Sequence, residues 1–170
     1  MSLEIERVFL LARLPDLPPG AEALRIEQGY LPDPAGAEGQ AQAGALEGRL
    51  RRTTRQDGEV RCHHTVKKGL GLVRTEEERE VPVAEFERLW PRTAGRRIVK
   101  TRHEVKAGAL TWEVDRFEGL DLVLAEVELP SEAHEAPLPD WLAPHVVREV
   151  TDDPSYRNFA IARRLGGAEV

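Results

Sequence analysis

The sequence contains a single cysteine, Cys62, among its 170 residues. One cysteine excludes a disulfide framework within the chain and fits a reducing compartment, so we expect a cytoplasmic protein. Long hydrophobic runs are also missing, and the N-terminal segment MSLEIERVFLLARLP places acids before a short apolar stretch. That segment has the features of neither a signal peptide nor a membrane span, so no membrane partner is expected.

Several catalytic and metal-binding patterns are absent as well. The turn Lys68-Gly-Leu-Gly71 lacks a following Gly-Lys-Ser/Thr, so it does not form a P-loop. Two adjacent histidines, His63 and His64, would point to opposite faces of a strand, and the others have no partner spacing, which argues against zinc. No Ser-His-Asp arrangement is visible. The net charge of −6 argues against a general nucleic-acid binder.

Alternating apolar and charged residues instead predict a mainly β protein of the α+β class, formed by one domain over residues 1–170. The dipeptide Asp57-Gly58 marks a tight hairpin, and a Pro- and Gly-rich loop is expected at 32–48. Two segments, 82–90 and 154–165, have helix character, the second with Asp152 or Asp153 as its cap. The predicted strands cover residues 4–12, 24–31, 49–55, 61–67, 76–80, 96–106, 110–115 and 123–129.

Carboxylates occupy alternate positions on the first and last predicted strands. Glu4 and Glu6 form one such pair, and Glu126 and Glu128 form another. Because alternate residues of a strand point to the same face, two strands can aim four carboxylates at one point. Hard cations such as Mg²⁺ or Mn²⁺ take oxygen ligands of this kind. A surface strand with solvated acids is the alternative.

Basic residues alternate in the same way on the middle strands. An antiparallel sheet closed into a barrel would bring the basic and acidic sets to one inner face. Arginine and lysine would hold phosphate oxygens there, and the carboxylates would hold a metal that bridges to the phosphates and activates water. A barrel whose charges only neutralise one another is the alternative. The basic pairs are Arg49 with Arg51, Arg61 with Lys67, and Lys100 with Arg102.

The order of several segments along nearly the whole chain resembles the CYTH superfamily, the triphosphate tunnel metalloenzymes. The insertion at 32–48 is long for that family. The matching segments are EIE (4–6), IEQGYL (26–31), RLR (49–51), TVK (65–67), LWPRTAGRRIVKTR (89–102), EVDRFEG (113–119), LAEVEL (124–129) and EVTDDPSYRN (149–158).

The resemblance implies an eight-stranded antiparallel closed tunnel with a few flanking helices, which binds a triphosphate compound together with Mg²⁺ or Mn²⁺. Within it, Glu76 and Glu78 would position the basic residues or a second metal. The implied metal ligands are Glu4, Glu6, Asp115, Glu126 and Glu128. The implied phosphate-binding residues are Arg49, Arg51, Lys67, Lys100 and Arg102. The implied catalytic residues are Tyr30, which would lie close to the reacting end, Lys67 and Arg102.

The function implied by the resemblance is metal-dependent hydrolysis of a triphosphate, with tripolyphosphate as the first candidate and thiamine triphosphate or ATP as others. ATP cyclisation of the class IV adenylate cyclase type remains an alternative. The family's signature lysine falls at position 8, where this chain has Val8. Non-catalytic binding of polyphosphate or nucleotides therefore also stays open. No nucleic-acid partner is expected, and a homodimer is compatible with the sequence.

Overall fold

The computed structural model describes residues 5–32, 48–68 and 75–167, with backbone alone at positions 67, 68, 75 and 76. Within these ranges it contains nine strands, two α-helices and short 3₁₀ turns. The strands are β1 (Ile5–Leu11), β2 (Glu22–Leu31), β3 (Gly48–Arg55), β4 (Val60–Lys68), β5 (Thr75–Val81), β6 (Arg97–Ala107), β7 (Leu110–Phe117), β8 (Val123–Leu129) and β9 (Val146–Glu149). The helices are α1 (Val83–Leu89) and α2 (Asn158–Leu165).

All nine strands join one antiparallel sheet in the order β5-β4-β3-β2-β6-β7-β8-β1-β9. The prediction of a mainly antiparallel β fold is therefore confirmed, but the predicted count of eight strands is wrong. β9 was missed because four residues are too few for a clear alternation. Within the described ranges no ladder joins β5 to β9, so hydrogen bonds there do not close the sheet.

The predicted boundaries of the other elements hold with small shifts. Asp57-Gly58 forms the expected hairpin turn, with Gly58 at a φ of +89° that favours glycine. The predicted helix at 154–165 begins instead as a 3₁₀ turn, Pro154–Tyr156, which Asp153 caps by accepting from the Ser155 N–H. The expected loop at 32–48 lies almost entirely outside the described residues.

One face of the sheet is apolar. Residues opposite each other in an antiparallel ladder share a face, which places Phe9 beside Ala125 and Trp112 beside Val127. The connection between β8 and β9 covers this face and contributes the fully buried Leu142. The buried strand residues on this face are Phe9, Leu11, Trp112, Val114, Val123, Ala125, Val127 and Leu129.

Farther along the same face, α1 covers β3 and β4. Phe86 of α1 packs with Leu50 and with Cys62, whose thiol is buried as expected for a small core residue. A 3₁₀ turn, Trp90–Thr93, follows α1 and lies against β2. Gly29 allows this approach, because a Cβ there would come within 2.6 Å of the Thr93 hydroxyl oxygen.

The opposite face carries most of the charged residues predicted for the site, and α2 lies over one end of it. Ile161 and Ala162 of α2 pack against Phe117 and Leu124 in a second apolar cluster. Beyond this cluster the face carries mostly polar and charged side chains, with Leu24 and Ile26 between them, so the site occupies the part of the sheet that α2 does not cover. Among the described residues, no helix is long and apolar enough to cross a membrane.

Candidate active site

Strand register brings the predicted site residues onto one side of the sheet. Tyr30 lies opposite Arg49 across β2 and β3, and Arg102 lies opposite Asp115 across β6 and β7. We call this side the charged face. It carries Glu6, Tyr30, Arg49, Arg51, Lys100, Arg102, Asp115, Glu126 and Glu128. Glu4 lies outside the described residues, and only the backbone of Lys67 is described.

A buried ion-pair cluster occupies the middle of the charged face. Asp115 is fully buried between Lys100, whose Nζ lies 2.6 Å away, and Arg102, which donates two hydrogen bonds of 2.7 and 2.8 Å. Burial alone would raise the pKa of Asp115, but the two cations outweigh burial and hold this pKa well below its usual range. Both carboxylate oxygens of Asp115 therefore already have cationic partners.

Arg102 extends this cluster to two further carboxylates. Its Nη1 lies 2.6 Å from Glu113 Oε2, and its Nη2 lies 3.2 Å from Glu126 Oε2. Burial lowers the pKa of an arginine, but here the carboxylates, Asp115 first, raise the Arg102 pKa above its ordinary value. Burial also raises the pKa of Glu113. Arg102 therefore binds three acidic side chains from β7 and β8 at once.

Lys100 is fully buried and contacts α2 as well as the sheet. Its Nζ donates to Asn158 Oδ1 over 3.2 Å and lies 5.3 Å from the centre of the Phe117 ring. Burial lowers the pKa of Lys100 despite the attraction of Asp115. The helix that covers one end of the charged face is thus joined directly to a predicted phosphate-binding residue.

Arg51 has a different environment. Among the described residues no carboxylate lies within 4 Å of its guanidinium, whereas Arg49 has Glu78 at 3.6 Å. Burial lowers the pKa of Arg51 to about 10, and repulsion from Arg49 and Arg102 adds to the effect. Arg51 is therefore a cation held among cations, an environment that an anion would stabilise.

A fully buried glutamine, Gln28, joins Arg51 to Tyr30. Arg51 Nε donates to Gln28 Oε1 over 2.8 Å, and Gln28 Nε2 donates to the Tyr30 hydroxyl over 2.7 Å. Burial raises the pKa of Tyr30, and the ring packs edge-on against Phe159 of α2 at 5.3 Å. The sequence places Gln28 beside Tyr30 in the IEQGYL segment, but its role depends on a partner 23 residues away.

A cavity of about 310 Å³ opens on the charged face. Arg51, Arg102 and Glu113 line it together with further polar and basic residues, including Arg55 and His63. The cavity therefore lies against two of the predicted phosphate-binding residues. Its volume is at the lower end of the range common for small-molecule sites.

The acidic end of the charged face lies on β1 and β8. Glu6 is paired in register with Glu128, and both residues are exposed. Their oxygens are the ligand type that Mg²⁺ and Mn²⁺ prefer. Within the described ranges, however, no group of three or more His, Cys, Asp or Glu side chains is placed to hold a metal ion. The donor chemistry of this end fits a divalent cation, and the predicted fourth carboxylate, Glu4, lies outside those ranges.

Val8 lies on the charged face opposite Glu126, at the margin of the apolar cluster under α2. Its backbone N–H donates to the Thr151 hydroxyl over 3.1 Å, and its carbonyl accepts from the Val150 N–H over 2.8 Å. The valine side chain therefore contacts apolar groups rather than a charged partner.

Comparisons with known proteins agree with this arrangement. No protein-family model matches the chain. An inorganic triphosphatase from Nitrosomonas europaea is 42% identical over 164 residues, which cover 94% of this chain and 96% of that protein. One from Acetivibrio thermocellus is 40% identical over 96 residues, 55% of this chain and 59% of its own length. A crystal structure of an inorganic triphosphatase, 35% identical, aligns over 96% of both chains with a TM-score of 0.62.

Proposed function

The chain belongs to the inorganic triphosphatase family, and from that premise we propose that it hydrolyses inorganic tripolyphosphate on its charged face. Membership confirms the resemblance to triphosphate tunnel metalloenzymes that the sequence motifs indicate. The proposal extends to this chain the activity named in its relatives.

The observation that carries this proposal is the environment of Arg51. An arginine whose pKa is lowered to about 10 by burial and by neighbouring cations is costly for the folded protein. A polyanion in the adjacent cavity would remove that cost and form charge-assisted hydrogen bonds. Tripolyphosphate is such an anion.

We assign phosphate binding to Arg49, Arg51, Lys67, Lys100 and Arg102, with Tyr30 close to the reacting phosphate. Arg51 is available without any exchange of partners. Arg102 already contacts three carboxylates, so it would have to share its hydrogen bonds between them and the phosphate. The difference predicts that Arg51 makes the first contact with the substrate.

A divalent cation, Mg²⁺ or Mn²⁺, would be held by Glu4, Glu6, Glu126 and Glu128. When bound it would neutralise phosphate charge and lower the pKa of water for attack on phosphorus. Asp115 has both oxygens taken by Lys100 and Arg102, so we assign it to positioning those cations rather than to the metal. Glu113, which also lies on this face, is the better additional candidate for a metal ligand.

The test is release of phosphate from tripolyphosphate, thiamine triphosphate and ATP, each with Mg²⁺, Mn²⁺ or a chelator. We expect metal-dependent hydrolysis with tripolyphosphate preferred, and loss of most activity in Arg51→Ala. Formation of cyclic AMP from ATP would replace the proposal with the cyclase alternative. Equal activity in the chelator would contradict the metal site.

Val8 favours a second candidate, a protein that binds polyphosphate without turning it over. The apolar side chain occupies the position of the family's signature lysine and supplies no charge to the substrate. Tight tripolyphosphate binding in calorimetry, with no phosphate release under any metal condition, would establish this second function. We propose a cytoplasmic location, which the buried, free Cys62 fits.

A further inference from the structure

We propose that Gln28 is a positioning residue of this site, which holds the Tyr30 hydroxyl so that its proton faces the substrate phosphate. The inference rests on the proposed function and adds a residue to it. Gln28 is fully buried on the charged face, and its amide contacts two predicted site residues at once.

The orientation of the Gln28 amide follows from the chemistry of its two partners. The Nε–H of Arg51 can only donate, so the amide atom that faces it must be the oxygen. The amide nitrogen then faces Tyr30 and donates to the hydroxyl oxygen. Exchanging the two amide atoms would set two donors against each other at Arg51.

This geometry decides where the Tyr30 proton points. A tyrosine hydroxyl has one proton to donate, and here its oxygen already accepts from Gln28. The proton must therefore point away from the amide. Among the described residues the Tyr30 hydroxyl makes no hydrogen bond as a donor. Contact with Phe159 keeps the ring in place, so the free O–H is directed rather than mobile.

Gln28 also orients Arg51. The Gln28 oxygen accepts from Arg51 Nε, and this hydrogen bond fixes the plane of the guanidinium. The two terminal nitrogens are left for the cavity that Arg51 lines. A planar fork held in this way matches the geometry of phosphate oxygens. One buried amide thus sets the direction of a neutral donor and of a cationic donor toward the same anion.

Gln28→Glu tests the inference with little change in size. The carboxylate would still accept from Arg51 but would also accept the Tyr30 proton, which removes that proton from the substrate. We expect kcat/KM for tripolyphosphate to fall about tenfold or more, as in Tyr30→Phe. When Tyr30 is already phenylalanine, Gln28→Glu should cause a clearly smaller further loss, because only the new charge next to Arg51 then acts. Gln56→Glu, at an exposed position in a hairpin turn, is the control for added charge.

Two outcomes would overturn the inference. An equal loss from Gln28→Glu with and without Tyr30 would mean that the new charge merely repels the substrate. Unchanged activity in Gln28→Glu alongside a loss in Tyr30→Phe would mean that the proton is not steered by Gln28.

A spectroscopic measurement separates this inference from the proposed activity. The protein has two tyrosines, so a Raman difference spectrum of the natural protein minus Tyr30→Phe isolates the Tyr30 signal without substrate or metal. We expect the spectrum to show that the Tyr30 hydroxyl accepts a hydrogen bond in the natural protein and donates one in Gln28→Glu. The same spectrum in both would contradict the inference even if hydrolysis is observed. If the spectrum changes as expected but no hydrolysis is observed, the contact between Gln28 and Tyr30 is supported and only the proposed function is rejected.

Discussion

Two regions of the charged face differ in how their cations are balanced. Around Asp115, the side chains of Lys100 and Arg102 are buried against carboxylates at 2.6 to 2.8 Å. Around Arg51, on β3, repulsion from Arg49 and Arg102 lowers the pKa of the guanidinium, and among the described residues no carboxylate lies within 4 Å of it. We call the first the balanced region, because its charges neutralise one another within the fold, whereas the proposed substrate anion would neutralise the second. A charged side chain on this face is therefore not a substrate-binding residue by virtue of its charge alone. Whether it already has a partner of opposite charge is the better indication.

Asp115→Asn should have the largest effect, because it removes the carboxylate between two buried cations. Lys100 then loses its ion pair, and Arg102 keeps only Glu113 and Glu126. We expect a loss of about 3–5 kcal/mol in the free energy of unfolding, measured by denaturant titration. Glu118→Gln, which breaks an exposed pair with Arg25, is the control and should cost no more than about 1 kcal/mol. Equal losses of unfolding free energy in the two variants would contradict the distinction between the two regions.

Arg51→Ala should have the opposite profile. Among the described residues Arg51 has no acidic partner, so its removal relieves repulsion from Arg49 and Arg102, while the buried Gln28 loses one hydrogen bond. We therefore expect the stability of the ligand-free protein to change by no more than about 1 kcal/mol. Tripolyphosphate binding should weaken about tenfold or more, since a hydrogen bond to a charged group contributes on the order of 1.5–3 kcal/mol. Calorimetric titration of the variant measures this, and Arg102→Ala is the comparison, because it should lose both affinity and stability. An Arg51 variant that is strongly destabilised would place Arg51 in the balanced region.

Glu6→Gln and Glu128→Gln extend the comparison to the acidic end. Each should weaken Mn²⁺ binding on the order of tenfold, since even groups that only orient a metal ligand contribute this much. Both side chains are exposed, so the unfolding transition should hardly move. Calorimetric titration with Mn²⁺ provides the measurement. Unchanged Mn²⁺ affinity in both variants would contradict a metal site at the acidic end of the charged face.

Val8→Lys should have the smallest effect. A lysine there would add a cation near Glu126 and the attacked phosphate, where charge develops in the transition state. We expect tripolyphosphate hydrolysis to rise by less than about tenfold, which corresponds to less than about 1.4 kcal/mol of barrier. Arg51 limits the gain because it already supplies an unbalanced cation, whereas Arg55 is tied to Glu22 by an ion pair. Natural activity equal to that of the variant would show that position 8 is dispensable.

Much of this face was predictable because the strand period is two. Alternation alone assigned eight strands, and parity placed the basic and acidic side chains on a common side. The short β9 could not be predicted, since most of its residues are exposed and its position depends on pairing with the edge of β1.

The partners of each charge could not be predicted in the same way. From its position in the strand, Asp115 points to the same face as the predicted metal ligands. Only the register between β6 and β7 reveals that it lies opposite Arg102. Gln28 gave no signal of its own, because its importance comes from a contact with Arg51 across the β2–β3 ladder. Sequence patterns identify which groups share a face, whereas cross-strand register decides which of them neutralise each other.

The unbalanced Arg51 has a consequence for handling the protein. Binding and folding are linked, so any anion that binds this guanidinium in the native state raises the melting temperature by an amount that grows with anion concentration. Phosphate and sulfate buffers would therefore protect the fold and compete with substrate simultaneously. A preparation that is most resistant to heat in such a buffer should be the least active in it, and the Arg51→Ala protein should lose both responses together.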